Sequence, residues 1–139
     1  GKIPRWFWGT GGILFGLAII YIGIQPGHRL PPDPLMIPHK DKVEHFLAYA
    51  LFASLIYRAI YPFSVYRRPR GPMPWLPIIL LPLLLGSVDE YLQGFAPGRS
   101  SDPYDLLADS LAGVVVCVLA LIWRERARRE GLRRRRRLA

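Results

Sequence analysis

Residues 6–27 and 71–88 form two stretches of 22 and 18 residues that carry no charged side chain. At about 1.5 Å per residue, each is long enough to cross roughly 30 Å of hydrocarbon as a helix. A small soluble domain could not bury two such helices on all sides, so a polytopic membrane protein is expected. Two further apolar runs, 45–57 and 110–123, hold only 13 and 14 residues. They span only if charges occupy their end turns, with Arg58 snorkelling at one end and Asp41, Glu44, Asp105 and Asp109 at the other. The expected fold is all-α: four transmembrane helices in a small bundle, at about 6–27, 42–62, 74–95 and 103–123, forming one domain over 1–123.

A basic tail follows over 124–139. It holds nine arginines against Glu125 and Glu130, whereas the rest of the chain, with ten basic and eight acidic groups, is close to neutral. Four spans divide the cations unevenly. Fifteen lie on one side: Lys2, Arg5, Arg58, Arg67, Arg68, Arg70 and the nine of the tail; Arg29, Lys40, Lys42 and Arg99 lie on the other. The positive-inside bias places both termini in the cytoplasm, and Trp6, Trp8, Trp75 and Trp123 then share the inner interface. The first apolar run is too long for a signal-peptide core, so no cleavable leader is expected. Cys117 stands alone, which excludes an internal disulfide. The proline-rich segments 26–38 and 67–74 read as connectors.

Local signals set the helix ends. Asp41 with Glu44 resembles a capping box for the second span, and Asp102-Pro103 with Asp105 resembles one for the fourth. Pro82 is expected to kink or unwind the third span. Gly12 and Gly16 offer a stripe for close helix approach.

Because successive spans alternate in direction, their polar residues gather at the outer end. Asp41, His45 and Tyr49 recur at i, i+4 and i+8; Asp89, Glu90 and Gln93 lie within one turn; Asp105 and Asp109 are four apart; and Arg99 sits in the short link before the fourth span. A charge at a helix centre costs roughly 2.5–3.5 kcal/mol, so these groups should face the bundle interior or water. Asp41, Asp102 and Asp105 also read as caps, and Arg99 as a counter-ion to Glu90 or Asp105.

The segments DKVEHFLAYALFASL and DEYLQGFAPGRSSDPYDLLADSLAG, at 41–55 and 89–113, carry a further signal. They resemble the VanZ family of small membrane proteins, whose motifs Asp-Lys-x-x-His-x-x-x-Tyr and Glu-x-x-Gln-x-x-x-Pro-Gly-Arg, followed by Asp, fall here on Asp41, Lys42, His45 and Tyr49, then Glu90, Gln93, Pro97, Gly98, Arg99 and Asp105. Two positions depart from the pattern: Asp109 stands where the family often has Asn, and Ala112-Gly113 displaces a glycine. The resemblance implies a bacterial cytoplasmic (inner) membrane protein of the cell envelope. The family takes its name from a protein associated with resistance to the glycopeptide teicoplanin.

Three functions compete. In the first, Lys42, His45 and Arg99, fixed by the carboxylates, hold an anionic lipid or cell-wall precursor head group. In the second, the chain is a structural or assembly subunit of a larger membrane complex, with Arg133, Arg134, Arg135, Arg136 and Arg137 contacting a partner or anionic lipid. In the third, it is a hydrolase or transferase on a lipid-linked phosphate, with His45 as base oriented by Asp41 or Glu90, or a divalent metal held by His45 and the carboxylates. The sequence contains no HExxH, CxxC, GxSxG or glycine-rich phosphate loop. Binding is therefore preferred to catalysis, and no catalytic residue, metal or cofactor is assigned. Membrane lipids are the expected partners. Nucleic acid is not expected, because the arginines lack interleaved aromatics.

Overall fold

The computed structural model describes residues 3–27, 39–61 and 75–138, with side chains up to Arg134. Lys2, Arg29, Arg67, Arg68 and Arg70, most of both proline-rich connectors, and the side chains of Arg135, Arg136 and Arg137 lie outside the described residues. The described residues form four helices: α1 (Arg5–Gly23), α2 (Lys40–Ile60), α3 (Leu76–Gln93) and α4 (Pro103–Leu138). All four are long and apolar enough to span a membrane.

Each boundary has a local cause. Helix α1 stops short of residue 27, because Pro26 disfavours helical geometry at the residue before it. Helix α2 starts at Lys40, after His39 in the left-handed conformation, and no side chain caps it. The expected capping box is not formed: Asp41 binds Lys42, and Glu44 pairs with Lys40. At α4 the expected cap does form. The Asp102 carboxylate accepts the Tyr104 N–H at 2.9 Å, and Pro103 takes the first helical position. Helix α4 does not end at the last apolar residue. Arginine, alanine, leucine and glutamate are good helix formers, and Glu125 accepts from Arg128 and Arg129 one turn on, so the helix continues to Leu138.

Helices α2 and α3 lie between α1 on one side and α4 on the other. The outward surfaces carry exposed Leu14, Leu17, Leu47, Leu84, Leu111 and Leu119, as suits a lipid solvent. Inside, small residues interleave with Tyr49, Phe52 and Ile78. Ala53 and Ala112 are fully buried, and α1 turns Gly12, Gly16 and Gly23 inward, so the expected glycine stripe packs within the bundle.

Pro82 neither breaks nor unwinds α3, which runs through it as one helix. It still leaves the Ile78 carbonyl without its helical donor. That carbonyl lies against Gly113 of α4, where a Cβ would stand 2.7 Å from the oxygen. The displaced glycine thus lets α4 close over the gap that the proline opens.

Candidate functional site

The ends of α2, α3 and α4 that meet the 94–102 link form a polar layer, organised around one cation and several buried acids. Lys42 reaches across from α2 and donates to Asp41 at 2.9 Å, Asp102 at 2.6 Å and Asp105 at 3.1 Å. It thereby ties α2 to the start of α4. Lys42 also holds the Asp102 carboxyl below the usual carboxylate range, helped by the Tyr104 N–H.

One turn deeper, His45 Nδ1 lies 3.1 Å from Asp109 Oδ1, and Asp109 is fully buried. Tyr49, stacked parallel to the His45 ring, donates its hydroxyl to Asp89 at 3.3 Å. The inward face of α2 is therefore Lys42, His45 and Tyr49, while Asp41 lies at its edge with its side chain 59% exposed.

The link is fastened by α3. Glu90 Oε2 accepts from the Asp102 N–H at 2.7 Å and from the Ser101 hydroxyl at 3.1 Å. Arg99 donates to Gln93 at 2.8 Å. The expected pairing of Arg99 with Glu90 or Asp105 is not made. Glu90 is turned towards the link backbone, and Asp105 faces Lys42. Gly98, at φ +73°, makes the turn that a side chain would strain, and Pro97 accepts from the Gly27 N–H at the end of α1.

His45 meets Asp109 rather than Asp41 or Glu90, because α2 packs directly on α4 while Asp41 and Glu90 are held by Lys42 and the link. Three acid oxygens have no donor among the described residues although they are buried: Asp89 Oδ1, Glu90 Oε1 and Asp109 Oδ2. Glycines make room for two of them. A Cβ on Gly23 would collide with Asp89 Oδ1, and one on Gly86 would stand 2.6 Å from Asp109 Oδ2.

All ten residues expected at the polar end are there. Asp102, Ser101, Gly23 and Gly86 join them. Asp102 read as a cap alone, and Gly86 could have been found as the residue that continues the α3 face of Asp89, Glu90 and Gln93 by one turn.

Two cavities open from this layer. The first, about 380 Å³, lies between α1, α2 and α3 and has Ile19, Ile22 and Ala48 along its wall, with the cations Lys40 and Arg99, the His45 ring and the acids Glu44 and Asp89 at its polar end. The second, about 390 Å³, is lined by His45, Asp102, Asp105, Gln93 and Arg99. Arg133 and Arg134, by contrast, are exposed on the far extension of α4 and take no part in the site.

A sequence model of the family described as VanZ/LLP1 matches residues 20–124. The match takes in both motif segments and every residue of the polar layer. No curated protein and no solved structure matches the chain.

Proposed function

The chain belongs to the VanZ/LLP1 family, and from that premise we propose that this multi-pass membrane protein binds the anionic head group of an envelope lipid or cell-wall precursor at its polar end. The observation that carries this reading is the cavity between α1, α2 and α3. Its apolar wall, Ile19, Ile22 and Ala48, suits a hydrocarbon tail, while Arg99 and His45 stand where the head group would lie. Arg99 spends one hydrogen bond on Gln93 and makes no ion pair with a described residue, which leaves guanidinium donors for a phosphate. In this reading the polar layer faces outward and the arginine-rich end of α4 faces the cytoplasm, in keeping with the charge bias.

The test is native mass spectrometry of the full chain from nanodiscs containing phosphatidylglycerol and a polyprenyl phosphate. Retention of an anionic lipid by the wild type, lost in Arg99→Gln and in Arg99→Glu, is expected. Equal retention by all three removes the proposal.

A second reading, a hydrolase or transferase on a lipid-linked phosphate, draws on the His45–Asp109 pair. A carboxylate on one ring nitrogen orients an imidazole to act as a base through the other. It requires release of inorganic phosphate from a polyprenyl diphosphate that His45→Gln abolishes.

A further inference from the structure

The polar layer holds more negative charge than its own cations can answer. Asp41, Asp89, Glu90, Asp102, Asp105 and Asp109 surround Lys42, His45 and Arg99, and Lys42 is already shared by three of them. Burying a carboxylate oxygen without a donor is costly, and three such oxygens, on Asp89, Glu90 and Asp109, are carried by α3 and α4. A bundle selected only for stability would replace them with apolar groups of similar volume.

Within this excess, three groups from three helices converge. His45, Glu90 and Asp105 each offer one ligand atom, and the three atoms lie within 4.8 Å of one another. Glu90 is 4% exposed, and its Oε1 is the oxygen not spent on Asp102 and Ser101. Asp105 spends Oδ1 on Lys42 and keeps Oδ2. Asp109 holds one nitrogen of His45, the arrangement that orients a histidine to bind metal through its other nitrogen.

We propose that His45, Glu90 and Asp105 form a binding site for a divalent transition-metal ion of the Zn2+ or Mn2+ class. One imidazole and two carboxylates suit these ions, whereas Ca2+ and Mg2+ prefer oxygen ligands alone. The cavity lined by His45 and Asp105 leaves the remaining coordination positions open to water or to an anionic oxygen. The ion would also offset charge on the donorless oxygens of Asp89 and Asp109. The inference stands apart from the lipid reading: ion binding by lipid-free protein upholds it even if no amphiphile is retained.

The full chain, purified in detergent and stripped with chelator, is titrated with Zn2+ by calorimetry and with Mn2+ by electron paramagnetic resonance. One equivalent of bound ion is expected. Its affinity should fall more than about tenfold in Glu90→Gln and stay unchanged in Asp41→Asn. Should Glu90→Gln not insert, His45→Gln gives the same reading, because His45 belongs to this group and not to the outer group Asp41, Asp102 and Asp105. No saturable binding by the wild type, or unchanged affinity in the Glu90 and His45 variants, overturns the site. Loss in Asp41→Asn with affinity kept in Glu90→Gln or His45→Gln also overturns it, by placing the ion on the outer group.

Discussion

The two halves of the bundle are held together by different means, although the same four helices run through both. In the apolar half, the helices meet through shape and ring faces. Tyr57 and Tyr61 pack on Trp75, Arg58 lies over Trp8, Arg124 lies over Tyr61, and Arg5 closes the last carbonyls of α2 at Ala59 and Ile60. Arg58 and Arg124 thus rest on aromatic faces, and Arg5 on a helix C-terminus, both of which favour cations. In the polar half, the contacts are directional, and acceptors outnumber donors. The contrast indicates that the apolar half is built for packing, whereas the polar half keeps an arrangement that packing does not require.

On that division, crowding a helix contact in the apolar half should destabilise, whereas removing a buried charge from the polar half should stabilise. The largest loss is expected at Gly113, where α4 touches the α3 backbone. Alanine there would press a Cβ against the Ile78 oxygen and, at 3.1 Å, the Ile79 Cα. Backbone cannot turn aside as a side chain can, so Gly113→Ala should cost about 1–3 kcal/mol. Gly12→Ala is its control. The new Cβ would meet only Leu55 at an ordinary 3.7 Å, and removing a helical glycine gains up to about 1 kcal/mol. Thermal unfolding in detergent, followed by circular dichroism, should show the two midpoints moving in opposite directions. A neutral Gly113→Ala would mean that the apolar half is loosely fitted.

In the polar half, removing charge should stabilise. Asp89→Asn keeps an oxygen for the Tyr49 hydroxyl and replaces a buried, donorless carboxylate oxygen with a neutral group. A gain of about 1–2 kcal/mol is expected in metal-free protein. Tyr49→Phe should do the reverse, because it removes the hydroxyl that donates to Asp89 Oδ2. A fall in midpoint for Asp89→Asn equal to that of Tyr49→Phe would show that the charge itself supports the fold, and would erase the distinction between the halves.

The sequence made the gross architecture and the location of the site legible, for the same reason. Charge-free runs such as 71–88 mark spans, and alternating helix direction carries His45, Asp89 and Asp109 to one end whatever the details of packing. Pairing within that end was not legible. Neighbouring residues on a helix differ by about 100° in direction, so a modest rotation of α2 decides that Lys42 rather than Asp41 faces α4. The partner of His45 depends likewise on how α2 and α4 are offset along their axes, which no residue type announces. Gly23 and Gly86 escaped notice because their contribution is an absent side chain, visible only once the carboxylates of Asp89 and Asp109 are in place. The end of α4 was hidden differently: hydropathy marks where apolar character stops at Trp123, but helix propensity and the Glu125 pairs continue past it.

The smallest effect separates the halves by pH. Asp102 lies outside the helices, joined to Lys42 on one oxygen and to the Tyr104 N–H on the other, and its pKa is lowered in the folded chain. A carboxyl whose folded pKa lies below its unfolded value of about 3.9 contributes stability that is complete above that value and is lost as pH falls through the folded one. Acid should therefore release the Lys42 tie between α2 and the start of α4 before it affects Trp75, Tyr57 or Tyr61, which carry no carboxylate. Protection of the Tyr104 amide, its exchange corrected for the intrinsic pH dependence, should fall as the pH drops below about 4, while protection near Tyr57 stays unchanged. In Asp102→Asn, protection at Tyr104 should be lower throughout and less dependent on pH. Identical pH profiles for the wild type and Asp102→Asn would assign the acid sensitivity to the deeper carboxylates, and the polar half would then open from its core instead of its edge.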